Sequence, residues 1–123
     1  MALPDAYVAL LAASGFLSLS LGRRDRAEKI FNALTARWPE RLAPLLGRCL
    51  GLILADEPEK AIVLLEKEGA GHRADPAWGG FHALALAEAG RTGAAREELT
   101  SLLAHDPDHP DKAMAKALLA HLN

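Results

Sequence analysis

Small and large apolar residues are spaced along this chain at helical intervals. Ala27, Ala61 and Ala95 are each followed four positions later, one helical turn, by Phe31, Leu65 and Leu99. Helix-compatible stretches are separated by Gly, Asp and Pro, and they predict seven helices over about 4–21, 24–37, 42–55, 58–68, 76–89, 92–105 and 110–122. Pro44, Pro58, Pro76 and Pro110 fit first turns, where no backbone N–H is needed. Gly22 and Gly90 suit the left-handed backbone that closes a helix, and Asp75 and Thr92 are predicted N-caps. The longest irregular piece, Gly69 to Asp75, is expected to replace a regular turn between two helical units.

The Ala columns are 34 residues apart, and a fixed period determines architecture more directly than any local signal. Leu21-Gly22, Ala55-Asp56 and Ala89-Gly90 recur at the same period as turn points. Pro39 and Pro107 lie two periods apart, with Arg73 at the intermediate position. Each column has a packing role. An Ala on the second helix of a pair lets the first helix approach closely, and the large residue one turn later fills the space beside that approach.

Gly15, Ala27, Phe31 and Pro39 occur in the order of the tetratricopeptide (TPR) signature, and the chain resembles that family over roughly residues 8–109. The later units depart from the pattern, with Cys49 and Ala83 in place of the small Gly and no early Trp in its column. The resemblance implies an all-α fold in one domain spanning residues 1–123. It is an α-solenoid of three TPR helix pairs, about 8–41, 42–75 and 76–109, plus a C-terminal capping helix at about 110–122.

In that family the first helix of each pair lines a concave groove. Projected onto this sequence, the groove receives Ala9, Ala12, Phe16 and Leu19 from the first helix. Leu46, Leu50, Ile53 and Leu54 follow from the second, and Phe81, Leu84 and Glu88 from the third. An apolar groove of this kind accepts an amphipathic helix or an extended segment, each Leu-sized side chain contributing roughly 1.5–3 kcal/mol when fully buried. The carboxylate clamp of some TPR proteins requires Lys, Asn and Arg in the groove. The corresponding surface here is Ala12, Phe16, Gly47, Ala77 and Phe81, so recognition through apolar side chains is expected.

Composition supports helix packing: 25 of 123 residues are Ala and only 5% are aromatic. A formal charge of −2, with no basic run longer than Arg23-Arg24, argues against a nucleic-acid or polybasic membrane partner. The apolar stretch from Ala6 to Leu21 follows Asp5 and is interrupted by Ser14, Gly15, Ser18 and Ser20. It reads as a packing helix and not a targeting or membrane-inserting segment, and a cytoplasmic location is expected.

Chemistry-bearing motifs are sparse. Cys49 has neither metal-ligand spacing nor a nearby His, and there is no nucleophile elbow or phosphate-binding glycine loop. His105 and His109 lie in His-Asp-Pro-Asp-His-Pro-Asp, whose composition is first that of a turn and cap and only secondarily that of a metal site. His82 sits among apolar residues, as a core or groove position would. No catalytic residue, metal or cofactor is expected, and the chain reads as a binding module and not an enzyme.

The first unit carries a narrower likeness. Gly15-Phe16-Leu17-Ser18-Leu19, Gly22, Arg26-Ala27, Ala33-Leu34, Pro39-Glu40 and Leu42-Ala43 resemble the YscY group of small type III secretion chaperones, and the likeness thins after about Arg48. It implies a cytoplasmic chaperone that holds an apolar helical segment of an export component. The implied partner is a YscX-like secreted protein, with the export gate as a further contact. The YscG type, which holds the needle subunit together with a co-chaperone, is the second choice. A homodimer is the expected partner-free form. The alternative is a general TPR scaffold, for instance in pilus or multiprotein assembly.

Overall fold

The computed structural model describes residues 3–122, and side chains from Ala12 onward apart from position 111. Seven α-helices follow one another: α1 (Leu3–Ser20), α2 (Arg24–Arg37), α3 (Leu42–Leu54), α4 (Pro58–Lys67), α5 (Pro76–Glu88), α6 (Thr92–Leu102) and α7 (Ala113–Leu122). Short 3-10 turns at Ala70–His72 and Pro110–Lys112 precede α5 and α7, so the last helix starts three residues later than its Pro suggests. No strand occurs among the described residues.

The turn columns have a common backbone explanation. Gly22, Asp56 and Gly90 all have positive φ, at 75°, 61° and 84°. At each, the next N–H reaches back to a carbonyl five residues earlier: Arg23 to Ser18, Glu57 to Leu52 and Arg91 to Leu86, all at 2.8 Å. These closures satisfy carbonyls that the helix end leaves free and turn the chain into the second helix of each pair. Asp fills the middle position because a short polar side chain tolerates the left-handed region better than most.

Asp75 caps α5 as predicted, accepting from the Ala77 N–H at 2.9 Å. Thr92 does not cap α6. It is the first helical residue, and Arg91 takes the cap position and extends to Glu59 on α4 at 2.6 Å. The Gly69–Asp75 segment is anchored by Trp78. Its indole N–H donates to the Leu65 carbonyl at 3.1 Å.

Tertiary contacts arrange the helices in two rows. α1, α3, α5 and α7 touch in succession as an inner row; α2, α4 and α6 form an outer row, each packed against its own inner helix and the next one. The Ala27, Ala61 and Ala95 column is buried throughout, and so are Phe31, Leu65 and Leu99. Side-chain sizes compensate across this layer. Phe31, the largest, lies against Gly15 of α1 and Gly47 of α3, and a Cβ at either glycine would enter its ring. In the register of Gly15, the later units have the buried Cys49 and Ala83, paired with the smaller Leu65 and Leu99.

α7 closes the stack. Ala115 is buried, Met114 covers Gly80 so closely that a Cβ there would lie 2.7 Å from its terminal methyl, and Arg96 donates to the Leu122 carbonyl at 2.9 Å.

Candidate functional site

Helical spacing gives α3 two accessible flanks. Gly47, Arg48, Gly51 and Leu52 face the outer row, where they form part of the wall between α2 and α4. Leu46, Leu50 and Ile53 lie on the other flank, the inner face of the stack, and Ala43 and Leu54, four and seven residues from Gly47, lie at the margin between the two. The predicted groove residues divide by exposure along this face.

Ala12, Leu19 and Leu46 are only 3%, 7% and 7% exposed. Ala12 and Leu19 belong to the cluster around Phe31 and Leu34, and Leu46 belongs to the cluster of the later units. Packing covers these three positions, Ala12 and Leu19 chiefly against α2, and leaves little for a partner to touch. Phe16, Leu50, Ile53 and Leu84 are half-buried, and Leu54 is 53% exposed. Phe16 is held edge-on to Phe31 with ring centroids 5.1 Å apart.

Phe81 is also half-buried, but its register is that of Gly47, 34 residues earlier, on the flank facing the outer row; there it packs on the core. Ala9 lies outside the described side chains. The exposed carboxylate of Glu88 marks the α5 end of the face. Phe81 apart, the apolar residues of the predicted set that keep some exposure are Phe16, Leu50, Ile53, Leu54 and Leu84.

The outer side holds a feature that the sequence reading did not select. A groove of about 830 Å³ runs between α2 and α4, with Ala27, Phe31, Gly47, Gly51 and Leu64 among its lining and Arg24, Glu28, Lys60 and Lys67 contributing charge. Of the residues predicted for the concave surface, Leu19 and Gly47 line it. Gly47 and Gly51 stand one turn apart on the same flank, and that pair of missing side chains is the sequence signal that marks it. Arg48 crosses one wall to Glu68, with nitrogen–oxygen distances of 3.0 and 3.2 Å.

His82 is a second centre missed by sequence reasoning. Its Nδ1 is 2.6 Å from Glu98 on α6 and its Nε2 is 2.9 Å from Glu66 on α4, and the ring stacks on Trp78 at 4.5 Å. Burial disfavours its charged form, but the hydrogen bonds and charges of Glu98 and Glu66 outweigh burial and hold its pKa above the ordinary histidine value. The partners are sixteen residues away on either side, so no local motif announces them.

The remaining candidates carry little reactive chemistry. Cys49 is fully buried, and desolvation pushes its thiol up to about 12, which leaves almost no thiolate near neutral pH. His105 and His109 lie in an exposed turn in which the His109 N–H donates to the Asp106 carbonyl at 3.2 Å. Lys112 reaches the His105 carbonyl, and Lys116 holds Asp108 at 2.6 Å. Among the described residues no three His, Cys, Asp or Glu side chains converge as a metal site. No described helix is long and apolar enough to cross a membrane.

No protein-family model matches this chain, and no curated protein does. Solved structures do. The fold is similar to the crystal structure of PcrH from Pseudomonas aeruginosa, with a TM-score of 0.74 and 22% identity, covering 96% of this chain and 89% of that one. The crystal structure of PcrH in complex with the chaperone binding region of PopD is similar at a TM-score of 0.71 and 22% identity, covering 96% and 92%. The likeness shows a TPR-like all-α fold over nearly the whole chain.

Proposed function

We propose that this protein is a non-enzymatic chaperone or adaptor of a bacterial type III secretion system, working in the cytoplasm and holding an apolar helical segment of an export component on its inner face. One observation carries the reading: Phe16, Leu50, Ile53 and Leu84 stay half-buried and Leu54 is exposed, which leaves apolar surface uncovered on α1, α3 and α5. Contiguous exposed apolar surface on a small domain favours a partner that covers it. The fold shared with PcrH, a type III secretion chaperone whose complex contains a PopD segment, supports the same reading. The first-unit likeness to the YscY group directs the choice of client toward a YscX-like secreted protein that is passed on to the export gate. A needle subunit with its co-chaperone comes second. A second copy of the chain covers this surface when no client is present.

Co-expression with these candidates, and with a PopD-like chaperone-binding region, tests the proposal. A stable complex is expected with one of them. Leu54→Glu removes the complex by at least about tenfold in affinity, because a carboxylate is buried there without a partner, while the exposed site leaves the melting temperature of the free protein nearly unchanged. Gly51→Leu, which enters open space in the outer groove, leaves binding intact. Loss of binding in Gly51→Leu but not in Leu54→Glu would place the client on the outer side. Failure of every export component to co-purify, together with a stable monomer alone, would favour the general scaffold.

A further inference from the structure

Arg48 on α3 and His82 on α5 are 34 residues apart and occupy the same register, directed at the outer row. They make different connections. Arg48 pairs with Glu68 at the C-terminal cap of α4, and the groove between α2 and α4 stays open. His82 connects to both outer helices beside it, through Glu66 on α4 and Glu98 on α6, with a side chain only 12% exposed. Below it, Phe81 fills the register that Gly47 leaves empty in the preceding unit.

This arrangement requires two donors from one ring. Neutral imidazole has one N–H, so it serves one carboxylate and turns a lone pair toward the other, whereas imidazolium donates to both. The groups facing the ring favour the cation. Glu66 comes from α4 and Glu98 from α6, and on its own helix Trp78 presents a π face. Arg73, stacked over the same indole at 5.4 Å, is the nearby like charge. On α3 Arg48 is engaged by Glu68, and on α7 Lys116 is engaged by Asp108.

We propose that His82 is a proton-operated clasp between the second and third helix pairs: as imidazolium it ties α4 and α6 together across α5, and loss of its proton releases one of them. The direction with pH follows from linkage. The folded-state pKa is raised, so the clasp is fully effective below the unfolded value of about 6.5 and is lost as pH rises through the higher folded value. Raising the pH through the folded value therefore loosens the α4–α6 side, and lowering it tightens that side. The clasp does not depend on the identity of the client.

NMR titration of the histidine ring in the full chain tests this directly, with hydrogen exchange followed across the same pH range. The expected result is a His82 midpoint above its value in the urea-unfolded chain, lowered in Glu98→Gln and in Glu66→Gln. Amide protection in α4 and α6, referenced to α2, falls as His82 loses its proton. Melting curves add a third readout: the advantage of the wild type over His82→Gln shrinks as pH rises through the His82 midpoint found by NMR. A midpoint at or below the unfolded value, or protection in α4 and α6 that stays constant through the titration, would overturn the clasp.

Discussion

Gly47→Ala isolates the packing logic of the first helix pair, because the perturbation has two opposing parts. Alanine is favoured over glycine inside a helix by about 1 kcal/mol, and Gly47 lies well within α3. Against that, the new Cβ would enter the edge of the Phe31 ring. The ring has little freedom to retreat, since it is buried and Gly15 meets it from the other side. Overpacking of this kind costs roughly 1–3 kcal/mol, so the single variant is neutral to about 2 kcal/mol less stable than the parent.

Phe31→Leu removes Cε1 and Cζ, the two ring atoms nearest the added Cβ, and replaces the third, Cδ1, by a methyl that can turn away, reproducing the Leu65 and Leu99 of the later units. In that background most of the clash is relieved, and Gly47→Ala becomes stabilising by up to about 1 kcal/mol through its helix-forming advantage. The coupling between the two positions is therefore about 1–3 kcal/mol, read from urea unfolding of the four proteins in a double-mutant cycle. If Gly47→Ala has the same effect with Phe and with Leu at position 31, the size-compensation argument is wrong.

Two further outcomes follow from burial. Ala61→Leu places three extra carbons at a fully buried contact between α3 and α4 and lowers stability by roughly 1–3 kcal/mol, measurable in the same unfolding assay; unchanged stability would refute the close approach assigned to that column. Cys49, with its thiol pushed up to about 12 by desolvation, resists iodoacetamide at pH 8 in the folded protein and is labelled only as fast as the core opens. Labelling of the native protein at the rate of a free thiol would show that the α3 core is not closed.

The 34-residue period, the helix pairs and the turn points at 22, 56 and 90 were legible in the sequence because they depend on local properties. A positive φ, a helical turn between Ala and its large neighbour, and Pro in a first turn act within a few residues of chain. The apolar character of the inner helices was legible for the same reason. Sequence spacing showed which side of a helix Ala12, Leu19, Leu46 and Leu54 occupy; it did not show how far the next helix covers that side. Only tertiary packing, with α2 against Ala12 and Leu19 and the later units around Leu46, buries the first three and leaves Leu54 exposed.

Phe81 illustrates the same limit: the repeat register places it with Gly47 toward the outer row, where side-chain volume decides between a filled layer and an open groove. The bridge from His82 to Glu66 and Glu98, and the indole bond from Trp78 to Leu65, join helices separated in the chain. Periodicity is local and repeats itself, whereas coverage, cavity shape and a shared proton depend on the volumes and charges that the neighbouring helices bring to each contact. Sequence alone therefore determined the repeating scaffold, and tertiary packing decided which of its faces are closed, open or clasped.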